Sequence, residues 1–339
     1  MLRKLLVLWI RLVLFCIFAP LIALRIVYQR YKFGPVVFEK KTHVLPEKLT
    51  KEYSHKFVKL SSVKLHYVEA GPLSAPPIIM IHGFPEFWYA WRHQIKHFSK
   101  DYRVIAIDMR GYGESEKPEG TANYQVRVLA NDVKELIEEL GYKKATIAAH
   151  DWGAVVAWYT SLFFPEVVDK LVILNVPHPG AMKHVIRANP KQLLCSWYIF
   201  FFQTPFLPEL MMSFFDCRAL GAMFRGRAGL INKERFTNED QEAWMATYSE
   251  KGVFTPPLNY YRALFDCDRP TETRLKTKAP TLIIWGEQDI ALVKECAAKS
   301  AERCENAQVV YVPNSSHWVQ QDEPDIVNKA MEEFLAKHE

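Results

Sequence analysis

At 339 residues, 49% hydrophobic and 24% charged, the chain has ordinary globular composition and room for one large α/β domain with an inserted subdomain. Its formal charge of +5 sits in residues 1–33, which carry six basic residues (Arg3, Lys4, Arg11, Arg25, Arg30, Lys32) and no acidic one, leaving 37 basic against 38 acidic elsewhere. That balance implies no basic face for nucleic acid.

Leu5 to Leu24 is about twenty residues of nearly unbroken apolar character, interrupted only by Arg11 and Pro20. The length suits a single membrane span, with Arg11 near one end where its long side chain can snorkel to the headgroups. A cleavable signal peptide is the competing reading, but the apolar run is long for one and Arg25 follows directly. Residues 1–33 are therefore read as a membrane anchor and 34–56 as a polar tether.

From Phe57 an alternation of apolar residues predicts a β-hairpin. Short apolar runs then recur at Ile78–Ile81, Arg103–Ile107, Ala145–Ala149, Leu171–Leu174, Leu282–Trp285 and Val309–Val312, separated by helical stretches such as Glu135–Leu140. Alternation of this kind predicts a mostly parallel sheet covered by helices on both faces, with ligand sites beyond the carboxyl ends of the strands. From Pro179 the pattern turns irregular, helical and aromatic. Residues 57–179 and 275–339 are thus read as the two parts of one α/β core, and 180–274 as a helical lid inserted between two of its strands.

Ala149-His150-Asp151-Trp152-Gly153 joins the Ala145 strand to a helical run. The layout is that of a nucleophile elbow, in which a strained residue stands up between small neighbours. Here the raised residue is a carboxylate, Asp151. A simple helix cap is the plainer alternative. An attacking carboxylate forms an ester, whose hydrolysis requires a water activated by an oriented histidine. His317 follows the last strand and Asp289 the one before it, so Asp289 can accept the His317 Nδ1 proton; Glu287 is the rival acid. Taken alone, each is more simply a loop histidine or a helix cap, but nucleophile, acid and histidine in that order at strand ends is the α/β-hydrolase arrangement. His82-Gly83-Phe84-Pro85 falls where that fold carries its oxyanion loop, which offers the N–H groups of Phe84 and Trp152 to a tetrahedral oxygen. Asp108–Ser115, with its turn glycines, reads as scaffold.

Six cysteines without CxxC pairs or histidines at metal spacing read as free thiols of a reduced compartment. No metal or cofactor motif is present among them. G-x-S-x-G, the P-loop, G-x-G-x-x-G and H-E-x-x-H are also absent from the sequence.

The stretches His82-Gly83-Phe84-Pro85-Glu86, Asp108-Met109-Arg110-Gly111-Tyr112-Gly113-Glu114-Ser115, His150-Asp151-Trp152-Gly153 and Ser316-His317-Trp318 together resemble the α/β-hydrolase-fold epoxide hydrolases. With the apolar N-terminus, the chain looks most like their membrane-anchored epoxide hydrolase 4 branch. The likeness runs from about residue 57 to 335, and it departs at Ala149, where the family's elbow usually has glycine. The resemblance implies two lid tyrosines donating to the epoxide oxygen. By the surroundings Tyr198-Ile199-Phe200-Phe201-Phe202-Gln203 and Asn259-Tyr260-Tyr261-Arg262 these are Tyr198 and Tyr261, with Tyr260 as the fallback. It further implies a cofactor-free reaction on a lipophilic epoxide among Trp152, Phe202, Tyr260 and Trp318. A haloalkane dehalogenase or a non-catalytic binder of the same fold is the alternative. The single sequon, Asn314-Ser315-Ser316, lies three residues from His317, where a glycan would crowd the loop. With the free thiols, this points to an endoplasmic-reticulum membrane protein whose domain faces the cytosol.

Overall fold

The computed structural model describes residues 2–39, 41–250, 252–266 and 276–338. Cys267 and the expected lid-to-core junction at 274/275 lie outside the described residues. Eight strands form one sheet: β1 (Ser54–Lys59), β2 (Lys64–Ala70), β3 (Pro77–Ile81), β4 (Arg103–Ile107), β5 (Ala145–His150), β6 (Val168–Leu174), β7 (Thr281–Gly286) and β8 (Ala307–Val312). Their order is β1-β2-β4-β3-β5-β6-β7-β8. β2 runs antiparallel to β1 and to β4, while β3 to β8 are parallel. Every residue of β5 and β7 is buried, which is why these strands read as unbroken small or apolar runs instead of alternating ones. The α/β-hydrolase expectation, a mostly parallel sheet wrapped in helices, is met.

Between β6 and β7 come the helices Pro179–Ala188, Pro190–Cys195, Trp197–Phe201, Leu207–Met212, Phe214–Arg225, Asn238–Tyr248 and Thr255–Asp266. Three side-chain donors peg them to core loops: Trp244 Nε1 to the Pro85 carbonyl (2.9 Å), Tyr248 to that of Glu86 (2.6 Å) and Tyr260 to that of Arg110 (2.6 Å).

Two expectations about the N-terminus need correction. The first helix, α1 (Leu2–Phe33), is long and apolar enough to cross a membrane, but Arg11 does not snorkel. Its guanidinium meets Asp266 at 3.1 Å and Gln203 Oε1 at 3.3 Å, both on the lid. Pairing with a carboxylate satisfies the charge where it stands. Nor are residues 34–56 a free tether. Val37 and Leu49 are wholly buried, the Lys41 N–H and the His43 ring bond Asp216 of the lid (2.9 and 2.6 Å), and Ser54 to Lys56 already pair with β2. Scattered apolar residues in a polar stretch gave no periodicity from which this strap could be read.

Candidate active site

The turn from β5 into the helix Trp152–Phe163 is strained at its centre. Asp151 has φ 47° and ψ −122°, a region unfavourable to any residue with a Cβ, and its side chain makes no cap bond. The turn can form because its neighbours take little room. A Cβ on Gly153 would lie 2.3 Å from the Ile81 carbonyl oxygen, and one on Gly83 2.3 Å from the Asp151 Cβ. Ala149 is fully buried without conflict. The carboxylate keeps 14% side-chain exposure, so it remains reachable.

Asp151 Oδ1 accepts the Phe84 N–H at 2.7 Å, and Oδ2 faces His317 Nε2 at 3.3 Å. As the first residue of its helix, Trp152 has an N–H without an intrahelical acceptor. On its other side His317 Nδ1 meets Asp289 Oδ2 at 2.7 Å. Glu287, the rival acid, instead pairs with Lys294. Asp289 is held in turn by the N–H groups of Ala291 and Leu292 (2.7 and 2.9 Å) and by Asn175 Nδ2 (2.8 Å). Asn175 ends β6 with φ 51°, and its Oδ1 accepts the Gly286 N–H. Nothing local in the sequence marks Asn175, because an asparagine after a strand is an ordinary turn residue.

Electrostatics follow from this arrangement. Burial works to raise the Asp151 carboxyl, but the adjoining His317 and the Phe84 N–H outweigh it and leave it below the usual range. Burial works to lower His317, and two flanking carboxylates, Asp289 and Asp151, overcome it and raise the imidazole well above its ordinary value.

Glu86 is a second residue the sequence reading left without a role. Wholly buried, it accepts the Gly83 N–H (2.9 Å), His150 Nδ1 (2.8 Å) and the amides of Gln320 (3.2 Å) and Gln321 (2.7 Å). Burial pushes its carboxyl up, but His150 and the Gly83 N–H bring it below the usual value. His150 Nε2 donates to the His317 carbonyl at 2.8 Å. The oxyanion loop, the elbow and the histidine loop are thereby joined through one buried carboxylate.

Above Asp151 the lid presents Tyr198 and Tyr261, rings 6.0 Å apart, with Phe202 4.8 Å from Tyr261 and Phe84 5.5 Å from both Phe202 and Tyr261. Burial, and after it the Asp151 charge, holds both phenols above their ordinary value. Among the described residues the Tyr198 hydroxyl bonds no protein group. Tyr260 is a correction: fully buried behind Trp152 (5.4 Å between rings), it already donates its hydroxyl to the Arg110 carbonyl. Trp318 packs its ring 5.5 Å from His317 and 5.0 Å from Phe224, backing the histidine loop. His55, His66 and Glu114 lie close enough to hold a cation. The imidazole nitrogens, however, are engaged in a chain from the Leu49 carbonyl through His55 and His66 to Asp108.

An acid at the elbow after β5, a second acid after β7 and a histidine after β8 is the α/β-hydrolase order. The family model for the alpha/beta hydrolase fold matches residues 76–324. The chain is 44% identical to Epoxide hydrolase 2 of Caenorhabditis elegans over 86% of its own length and 83% of that protein's, and 40% identical to Epoxide hydrolase 4 of Homo sapiens over 82% and 77%. An epoxide hydrolase of Bacillus megaterium solved with an inhibitor superposes with a TM-score of 0.73 at 33% identity, covering 83% of this chain and all of that one. The chain belongs to the epoxide hydrolases of the α/β-hydrolase fold.

Proposed function

We propose that this hydrolase opens lipophilic epoxides to vicinal diols through an ester on Asp151. Oδ1 is already held by the Phe84 N–H and becomes the carbonyl oxygen, so Oδ2 is the attacking atom. It bonds one ring carbon as the C–O bond of the epoxide breaks. The departing oxygen takes a proton from Tyr198 or Tyr261, giving a hydroxyalkyl ester and a phenolate. His317 then takes a proton from water, whose oxygen adds to the ester carbonyl. The resulting charge rests on the Phe84 and Trp152 N–H groups. Collapse expels the diol oxygen, which takes the His317 proton. The acid proton left on Asp151 returns to the phenolate through solvent. Epoxide and water go in, diol comes out, and no cofactor enters.

The observation that carries this reading is the contact of one carboxylate with both a backbone N–H through Oδ1 and an imidazole through Oδ2. It also explains timing. While Asp151 is charged, His317 holds its extra proton. Once the carboxylate is esterified, that support is gone and the imidazole releases the proton to solvent and becomes a base. The aromatic lid favours lipid-like substrates. On this reading α1 anchors the protein to an endoplasmic-reticulum membrane with the domain on the cytosolic side. Free cysteines at 16, 195, 217, 296 and 304 support that orientation.

The test is a His317→Gln variant of the full chain incubated with a panel of fatty-acid and terpenoid epoxides. Mass spectrometry is expected to find one substrate mass added to the Asp151 peptide. Steady diol production without any adduct would sink the ester route.

A further inference from the structure

α1 packs one stripe against the lid and leaves the rest of its circumference bare. Val7 and Ile22 are buried, and Arg11, Phe15, Phe18 and Ile26 are partly so, while Leu8, Trp9, Leu12, Ile17, Leu21 and Leu24 are exposed. Each such side chain left in water would cost about 1.5–3 kcal/mol relative to burial, and the helix's hydropathy fits hydrocarbon.

The lid surface beside it is of the same kind. Phe201 packs against Phe18 of α1 at 5.1 Å, and Trp197, exposed, lies against Phe201 at 6.1 Å. Leu193 and Leu194, one turn earlier, are exposed too. On the other side of α1 a groove of about 880 Å³ runs between Leu8, Leu12 and Phe15 of the helix and Phe206 and Leu210 of the lid, with Phe206 78% exposed. Two charged pairs lie at this boundary, Arg11 with Asp266 at 3.1 Å and Arg262 with both Glu209 oxygens at 2.8 and 3.0 Å, while Glu250, which also lines the groove, is exposed. Paired charges are what immersion requires, and contiguous exposed apolar surface marks a contact face.

We infer that the lid face flanking α1, formed by Leu193, Leu194 and Trp197 on one side and Phe206 on the other, enters the hydrocarbon of a lipid bilayer together with the helix. The occupant of the groove is then a lipid acyl chain. Because α1 is fixed to the lid from Val7 to Ile26, lid residues level with it share its depth wherever the helix is immersed. This inference rests on the membrane-anchor reading and extends it from the helix to the catalytic lid.

Of nine tryptophans, only Trp9 on α1 (62% exposed) and Trp197 on the lid (55%) reach the surface; the other seven are buried. The full chain is reconstituted in phosphatidylcholine vesicles whose acyl chains carry bromine, a contact quencher of indole fluorescence. The wild type is expected to be quenched, W9F and W197F each to lose part of that quenching, and the double variant to lose nearly all. Trp197 lies outside the reaction machinery, so epoxide hydrolysis by W197F reports that the fold is intact. Quenching that W197F leaves unchanged and W9F abolishes would overturn the lid contact while leaving the anchor. If a second copy of the chain covers the face instead, Trp197 stays unquenched and the protein sediments from nanodiscs as a dimer. No quenching in the wild type overturns anchor and lid contact together.

Discussion

His150 Nε2 donates to the backbone carbonyl of His317 at 2.8 Å, so the residue preceding the elbow acid holds the loop that carries the base. A carbonyl can only accept, and the ionised Glu86 carboxylate facing His150 Nδ1 can only accept as well. His150 thus bridges the buried carboxylate of the oxyanion loop and the carbonyl of the histidine loop.

Replacing Glu86 breaks that clasp. Glu86→Ala leaves the Gly83 N–H, His150 Nδ1 and two glutamine amides without their acceptor, and is expected to cost about 1–3 kcal/mol of stability for each group left unsatisfied, read from urea unfolding. Glu86→Gln keeps the shape and loses the charge. In single-turnover experiments it is expected to slow ester hydrolysis, which needs the His317 loop in place, more than ring opening. Equal slowing of both steps would contradict a positioning role.

The raised His317 gives a prediction with a definite sign. Its folded value lies well above the ordinary imidazole value it has in the unfolded chain. The stability it contributes is therefore full below that unfolded value and is lost as pH rises through the folded one. Asp151→Asn removes one of the two charges holding the proton, while Asp289 remains. The His317 titration, followed by NMR of labelled imidazole, is expected to move down, and the upper edge of that stability window with it.

Loss of either lid phenol is expected to act on ring opening. A positioned proton donor is worth roughly 10²–10⁴ in rate. Tyr198→Phe or Tyr261→Phe should lower the alkylation rate toward that extent, with little change in hydrolysis of an ester already formed. Both phenols titrate above their ordinary value, so in the wild type ring opening should hold its rate well into alkaline pH. Stopped-flow alkylation measured against pH checks both.

Asn175 orients Asp289, and its loss should be felt at His317. Removing one hydrogen-bond donor to a buried carboxylate costs about 1–3 kcal/mol. At 1.36 kcal/mol per tenfold in rate, a fall of roughly ten- to a hundredfold in turnover follows. Because Asn175 has φ 51°, alanine there adds backbone strain. Asn175→Gly does not, and it should show the same loss in rate with a smaller loss in stability. A glycine variant of wild-type activity would remove Asn175 from the site.

Gly153→Ala places a methyl 2.3 Å from the Ile81 carbonyl oxygen, a clash with backbone that no rotamer relieves. The elbow must open or β3 must shift, at a cost of about 3 kcal/mol or more. The expected outcome is a marked fall in the unfolding midpoint together with loss of diol formation.

Local pattern was sufficient for much of this protein. β4 and the cores of β3, β5, β6 and β7 were legible as short apolar runs because a strand buried on both faces admits little else; β8, at the sheet's edge and only partly buried, was legible from its β-branched residues. Asp151, Asp289 and His317 were legible because each lies in the loop at the end of such a run. A strand end carries its loop residue to the sheet's edge by chain connectivity alone. What needed the tertiary structure were contacts between residues far apart in sequence. These include Asn175 with Asp289, Glu86 with His150 and the two glutamines, Asp216 with the strap at 41–43, and Arg11 with Asp266. Each of these side chains has an unremarkable neighbourhood along the chain. Only packing decides which distant donor its oxygens meet, and where the resemblance alone ranked Tyr261 over Tyr260, packing gives a physical difference, since Tyr260 has its hydroxyl already bound. A helix turns 100° per residue, so adjacent tyrosines face different neighbours, and the sequence lacks the coordinate that says which side the acid is on.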